Sequence, residues 1–180
     1  MVKRFYYGLI SLRYVYFMIG LPMIIFVLAF MLTKRRTSGL LYAVGILAVI
    51  LAVVMFFYYK NKLHMHKVLK NINNIEEYGS GGMVDRSYIL EDRMLTCMGL
   101  DVRESRTDDI HALTMEEGKH GNVILHYEDS KGSHDMSALS KEEAQRFAAF
   151  LKRKNPDMIL HNIVPSGNGT LKELGAGVQV

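Results

Sequence analysis

The apolar positions of this chain change their pattern twice. Residues 14–33 (YVYFMIGLPMIIFVLAFMLT) carry no charged side chain, and residues 39–59 (GLLYAVGILAVILAVVMFFYY) repeat that character. Between them lie Lys34, Arg35, Arg36, Thr37 and Ser38. At about 1.5 Å rise per residue, some twenty such residues cross a hydrocarbon core of roughly 30 Å. The pattern therefore predicts two membrane spans joined as a hairpin. Tyr14, Tyr16, Tyr58 and Tyr59 mark the span edges, where a ring with a polar tip suits the headgroup zone. Pro22 removes one backbone donor within the first span and predicts a kink there. No small-x-small cleavage pattern precedes the loop, so the first run is expected to stay in the mature protein.

Beyond residue 59 the period becomes helical and amphipathic. Val68, Leu69, Ile72 and Ile75 recur on one face, predicting that the second span continues as a juxtamembrane helix. Gly79, Ser80, Gly81 and Gly82 then predict a flexible joint. The basic N-terminus, residues 1–13, either lies along the interface or extends the first span.

From residue 83 the pattern alternates in short runs separated by polar turns, as in a β-meander. Strands are expected at residues 87–90, 94–98, 110–116, 122–127 and 133–136, with 101–109 as a loop. The GKHGN run, residues 118–122, fits a hairpin turn, since it lacks the strand-loop-helix setting of a phosphate-binding loop. Ser140, Lys141, Glu142 and Glu143 form a capping-box pattern, followed by Ala144, Phe147, Ala148 and Leu151 at i, i+3, i+4 and i+7. That is a helix with one apolar stripe, ended by Asn155 and Pro156. Residues 157–164 add a short strand or pack back on the domain, and the Gly-rich residues 165–180 read as a mobile tail. The organisation is thus a basic interfacial segment (1–13), a transmembrane hairpin (14–59), a juxtamembrane helix with its joint (60–82), a small α+β domain (83–164) and a flexible tail (165–180).

Charge sharpens this division. Residues 1–75 carry ten Lys or Arg and no Asp or Glu, giving +10, whereas residues 76–180 carry twelve and eighteen, giving −6. The basic part suits an anionic membrane surface, and the acidic part argues against a nucleic-acid partner. Seven cations flank the hairpin's open end (Lys3, Arg4, Arg13, Lys60, Lys62, Lys67 and Lys70) against three in its loop. Cytoplasmic termini at a plasma membrane, with the soluble domain on the same side, are therefore expected. The single cysteine, Cys97, allows no intramolecular disulfide and reads as a small buried apolar residue.

Candidate chemistry is sparse. Lys60, Lys62, Lys67 and Lys70 are the candidate contacts to anionic lipid, although ordinary topology-setting charge is the preferred explanation of them. His64 and His66 point to different sides of a helix, and His111, His120, His126, His134 and His161 are scattered, so no metal site is expected. Lys152, Arg153 and Lys154 either complement the helix end or meet a lipid or partner. Asp108, Asp109, Glu116 and Glu117 are candidates for a basic partner. No Ser-His-Asp, CxxC or HExxH spacing is present and neither span holds a charge, so no catalysis, cofactor or permeation path is expected.

The order of elements, with turns such as YILEDR and YEDSKGS and the helix SKEEAQRFAAFLKRKNPDMI, resembles small bacterial two-span membrane proteins with a pleckstrin-homology-like (YcxB-like) domain. The match covers residues 83–160. The resemblance implies a bent antiparallel sheet of seven strands closed by a C-terminal helix, where the punctuation gives four or five strands. It also implies a binding or scaffolding role with no site residues to carry over. A membrane-anchored, non-enzymatic interaction domain with a protein partner or a second copy is the expectation. Anionic-lipid sensing stands beside it, and an enzyme or transporter component stands last.

Overall fold

The computed structural model describes residues 1–34, 37–118 and 122–175. The chain divides into two compact units, residues 3–67 and residues 1–2 with 68–180. The first is a pair of helices, α1 (Val2–Lys34) and α2 (Ser38–Lys70). Both are long and apolar enough to cross a membrane, and their most apolar windows are not buried. Tyr16 is 84% exposed, Phe26 73% and Val49 64%, a cost in water that a bilayer removes.

The N-terminal basic segment is part of α1, which settles residues 2–13 as an extension of the helix. α1 runs on through Pro22 without a break in helical assignment. α2 extends the second apolar run through Lys70 but stops there, before the expected glycine joint. A 3-10 turn, Ile75–Ser80, follows and buries Ile75 and Tyr78. Within the hairpin, Asn61 Nδ2 donates to Tyr14 Oη at 2.6 Å, and the Tyr14 and Tyr58 rings meet edge to face.

Among the described residues the second unit holds eight strands in two four-stranded sheets. β1 (Gly82–Val84), β2 (Ser87–Ile89), β3 (Arg93–Met98) and β4 (Asp101–Arg106) form one antiparallel meander. β5 (Ala112–Glu117), β6 (Val123–Asp129) and β7 (Gly132–Ala138) form a second, and α3 (Lys141–Lys154) follows it. β8 (Ile159–His161) then pairs parallel to β5, giving the order β7-β6-β5-β8.

Eight strands exceed the four or five expected. Residues 101–106, expected as loop, pair with β3 in a six-residue register from Arg93↔Arg106 to Met98↔Asp101. No alternation marks this strand, because its two buried residues, Val102 and the polar Ser105, are three positions apart and lie on opposite faces. β1 was masked by the glycine run, which packs closely rather than forming an open joint. A Cβ added to Gly81 would stand 2.1 Å from the Ile89 carbonyl oxygen. Gly81→Ala is therefore expected to lower domain stability by about 2 kcal/mol, the scale of overpacking, measured as a shift in the urea midpoint. The tail also differs from expectation. Leu171–Leu174 is a 3-10 turn, Leu174 is buried in the core, and Met83 N–H donates to Gly175 O at 3.3 Å.

One hydrophobic cluster joins both sheets and α3. Met94 and Ile89 come from the first sheet, Leu113, Leu125 and Met136 from the second, and Ala144, Phe147, Ala148 and Leu151 from the helix stripe. Ser140 Oγ accepts from Glu143 N–H at 3.2 Å, as the capping pattern requires. The reciprocal arm differs: Glu143 Oε2 accepts from Leu139 N–H at 2.6 Å rather than from the cap residue.

Candidate functional site

A polar cleft of about 250 Å³ opens where β3 and β4 of the first sheet approach β7 of the second. Register explains its composition. Thr96 pairs with Arg103 and Met98 with Asp101, so these four side chains share one face of the β3–β4 hairpin. Ser133, His134 and Asp135 of β7 complete the wall.

The cleft floor is a buried hydrogen-bond network. Asp129 is 7% exposed and its side chain almost wholly enclosed. Its Oδ2 accepts from Ser105 Oγ at 2.8 Å, and its Oδ1 accepts from Lys131 N–H at 2.8 Å. His134 Nε2 lies 3.1 Å from the same Oδ1. Burial opposes ionisation of Asp129, but the Ser105 and Lys131 hydrogen bonds and His134 outweigh it, holding the carboxyl below its usual range. Tyr127 Oη, fully buried, sits 2.8 Å from Thr96 Oγ1 and 3.3 Å from Ser105 Oγ. Burial first of all raises the Tyr127 pKa, so the phenol stays neutral.

At the mouth, an Arg103 guanidinium nitrogen lies 2.7 Å from His134 Nδ1. The same nitrogen lies 2.7 Å from His134 Nε2, so it sits against the imidazole ring rather than on one nitrogen alone. Among the described residues no carboxylate lies within ion-pair distance of Arg103. Ser133 makes no hydrogen bond to His134 among the described residues.

A second histidine is held on the β5–β6–β7 surface. His126 Nδ1 lies 2.6 Å from Asp135 Oδ1 and its Nε2 lies 3.1 Å from Glu116 Oε2. His126 faces Asp135 directly across β6–β7, and Glu116 is its diagonal neighbour on β5. The Asp135 hydrogen bond, with that of Glu116, raises the His126 pKa against a smaller burial penalty. A raised folded-state value contributes stability that is complete below the unfolded pKa and is lost as pH rises through the folded one. His126→Gln is expected to flatten that neutral-range slope, read from urea midpoints between about pH 5 and 8.

These His–carboxylate pairings were not visible as spacings, because Asp135 and Glu116 lie nine and ten residues from His126 and only strand register brings them together. His120 lies outside the described residues, and so do residues 119–121 of the GKHGN turn, although Gly118 N–H donates to Asn122 O at 2.8 Å across it. The four acidic candidates are engaged within the domain. Asp108 pairs with Arg106 at 2.7 Å, Asp109 accepts from Ser130, Glu116 holds His126, and Glu117 faces Lys141 at 3.5 Å. The basic helix end is engaged too. Lys152 Nζ donates to Met158 O at 2.8 Å, while Arg153 and Lys154 both pair with Glu91. Cys97 is buried on β3, and burial pushes its thiol up to about 11, well away from nucleophilic use.

Lys60, Lys62, Lys67 and Lys70 all lie on α2 and all are exposed. They do not form one patch. At about 100° per residue, Lys60 and Lys67 share a face, Lys62 stands roughly 160° away from Lys60, and Lys70 lies about 80° from each of Lys60 and Lys62. Lys62 Nζ sits 5.7 Å from the Tyr58 ring centroid.

No protein-family model, curated protein or solved structure matches this chain.

Proposed function

We propose that this is a membrane-anchored, non-enzymatic interaction domain, held at the plasma membrane by α1 and α2. The observation that carries the reading is the pairing of two membrane-length apolar helices with a separate domain that has its own core and an open polar cleft. In this reading the cleft receives a polar segment of a protein partner or of a second copy, with Arg103 and His134 as the groups that meet it. The absence of a nucleophile hydrogen-bonded to either histidine pair, among the described residues, favours binding over turnover.

We propose further that residues 83–160 are pleckstrin-homology-like, a reading supported by seven antiparallel strands followed by α3, with β8 as an addition. Seven cations against three support cytoplasmic termini and a cytoplasmic domain.

The test is a photo-reactive residue at Met98, which is 38% exposed at the cleft wall. In intact membranes it is expected to give a discrete cross-linked species that Arg103→Ala weakens. A smear unchanged by Arg103→Ala would overturn the reading. A tag on the C-terminal tail tests topology, with protection from protease in sealed cells as the expected result.

A lipid-contact reading has one specific observation in its favour: the hairpin unit holds no acidic residue to neutralise its exposed lysines.

A further inference from the structure

Lys62 lines a second cavity, of about 320 Å³, formed wholly within the helical hairpin by Tyr7 of α1 and Tyr59, Lys62, Leu63 and His66 of α2. That size falls in the range of small-ligand clefts, roughly 300–1,000 Å³. Tyr7 Oη and His66 Nδ1 are 2.8 Å apart and tie the two helices together at this level. Whichever of the two carries the shared proton, the pair keeps one further donor, the His66 Nε2–H or the Tyr7 O–H. The cavity therefore presents an ammonium, a free imidazole or phenol donor and a second phenol, beside the apolar Leu63.

Charge favours an anion here without opposition. Residues 1–75 contain no Asp or Glu, so no carboxylate of the hairpin competes for Lys62. Depth fits as well. Lys62 lies three residues past Tyr59, about 4.5 Å along the helix, and His66 about 10 Å. The headgroup zone is roughly 5–8 Å deep on each side of the hydrocarbon. Tyr14, Tyr58 and Asn61, joined across the two helices, mark the adjoining level.

We infer that this cavity holds the phosphate of an anionic phospholipid, with Lys62 as its counter-ion, the Tyr7–His66 pair as its hydrogen-bond donor, and Leu63 and the Tyr59 ring against the glycerol and upper acyl chain. The inference rests on reading the two helices as membrane-embedded. It separates Lys62 from Lys60 and Lys67, which face elsewhere and act as diffuse charge.

The test is native mass spectrometry of the full chain in detergent, titrated with phosphatidylglycerol or phosphatidylcholine. Phosphatidylglycerol is expected to bind in preference. Lys62→Gln is expected to weaken that binding about fivefold, the factor carried by one cation near an anionic surface. Tyr7→Phe removes a donor without changing charge and is expected to weaken it as well, whereas Lys60→Gln and Lys67→Gln leave it nearly unchanged. Equal losses for Lys60→Gln and Lys62→Gln, with Tyr7→Phe silent, would overturn the site in favour of diffuse attraction. Displacement of the lipid by millimolar glycerol 3-phosphate would overturn the lipid in favour of a soluble phosphate. Alkaline extraction of native membranes is run alongside. Retention of the chain without phosphatidylglycerol preference sinks the site alone, and release of the chain sinks the membrane reading with it.

Discussion

Replacing Phe147 with alanine is expected to destabilise the soluble domain by about 3–5 kcal/mol, the usual cost of deleting a buried aromatic ring. Phe147 is fully buried and stands in the middle of the α3 stripe, between Ala144 and Leu151. Its neighbours in the cluster come from both sheets, so a cavity there loosens every layer of the domain at once. Small-domain stabilities are only about 5–15 kcal/mol, so this single change removes a large share. Urea unfolding of the full chain in micelles, followed by tyrosine near-ultraviolet dichroism, is the measurement, because the chain has no tryptophan. A midpoint unchanged from wild type would show that α3 is not part of the domain's cooperative core. Leu139→Ala, at a 63% exposed position, serves as the surface control and is expected to stay within about 0.5 kcal/mol.

Removing the Asp129 carboxylate is expected to cost about 3 kcal/mol at neutral pH. Asp129→Ala strands three donors at once: the Ser105 hydroxyl, the Lys131 amide and the His134 ring N–H. Each buried donor left without a partner costs about 1–3 kcal/mol, partly relieved where water enters from the cleft. The sign with pH follows from the lowered folded-state pKa. Stability from this group is present above the unfolded carboxyl value of about 3.9 and is lost as pH falls through the folded one. Asp129→Asn should remove that part of the acid limb while keeping much of the shape. A wild-type acid limb in Asp129→Asn would show that the carboxylate is not held ionised by the network. Because His134 and Arg103 rest on this floor, both variants are also expected to weaken any cross-link formed at Met98.

The helices were legible in the sequence because their signals are local. Two uncharged runs, a basic loop and the Ser140 cap each act within a few residues, and α1, α2 and α3 lie where those signals put them. The strands were less legible. β4 lacks an alternating pattern, since its buried Ser105 answers to Asp129, 24 residues on, and β1 hides in glycines that allow close approach, Gly81 to Ile89 and Gly82 to Leu174. The Gly-rich tail carried no pattern at all, since burial of Leu174 depends on a surface that only the assembled domain offers.

The candidate sites divide in the same way. The four lysines were visible as charge, but helix geometry alone separates Lys62 from Lys60 and Lys67, and only the facing helix brings Tyr7 to His66. Arg103, His134 and Asp129 come from three different strands, and Glu116, His126 and Asp135 from three as well. Hydropathy, charge balance and capping are sums over neighbours along the chain, so the sequence by itself determined the hairpin, the acidic domain and its capped helix α3. Cross-strand register and sheet-to-sheet approach depend on residues tens of positions apart, so the tertiary structure alone decided which polar groups became partners and where a cleft was left open.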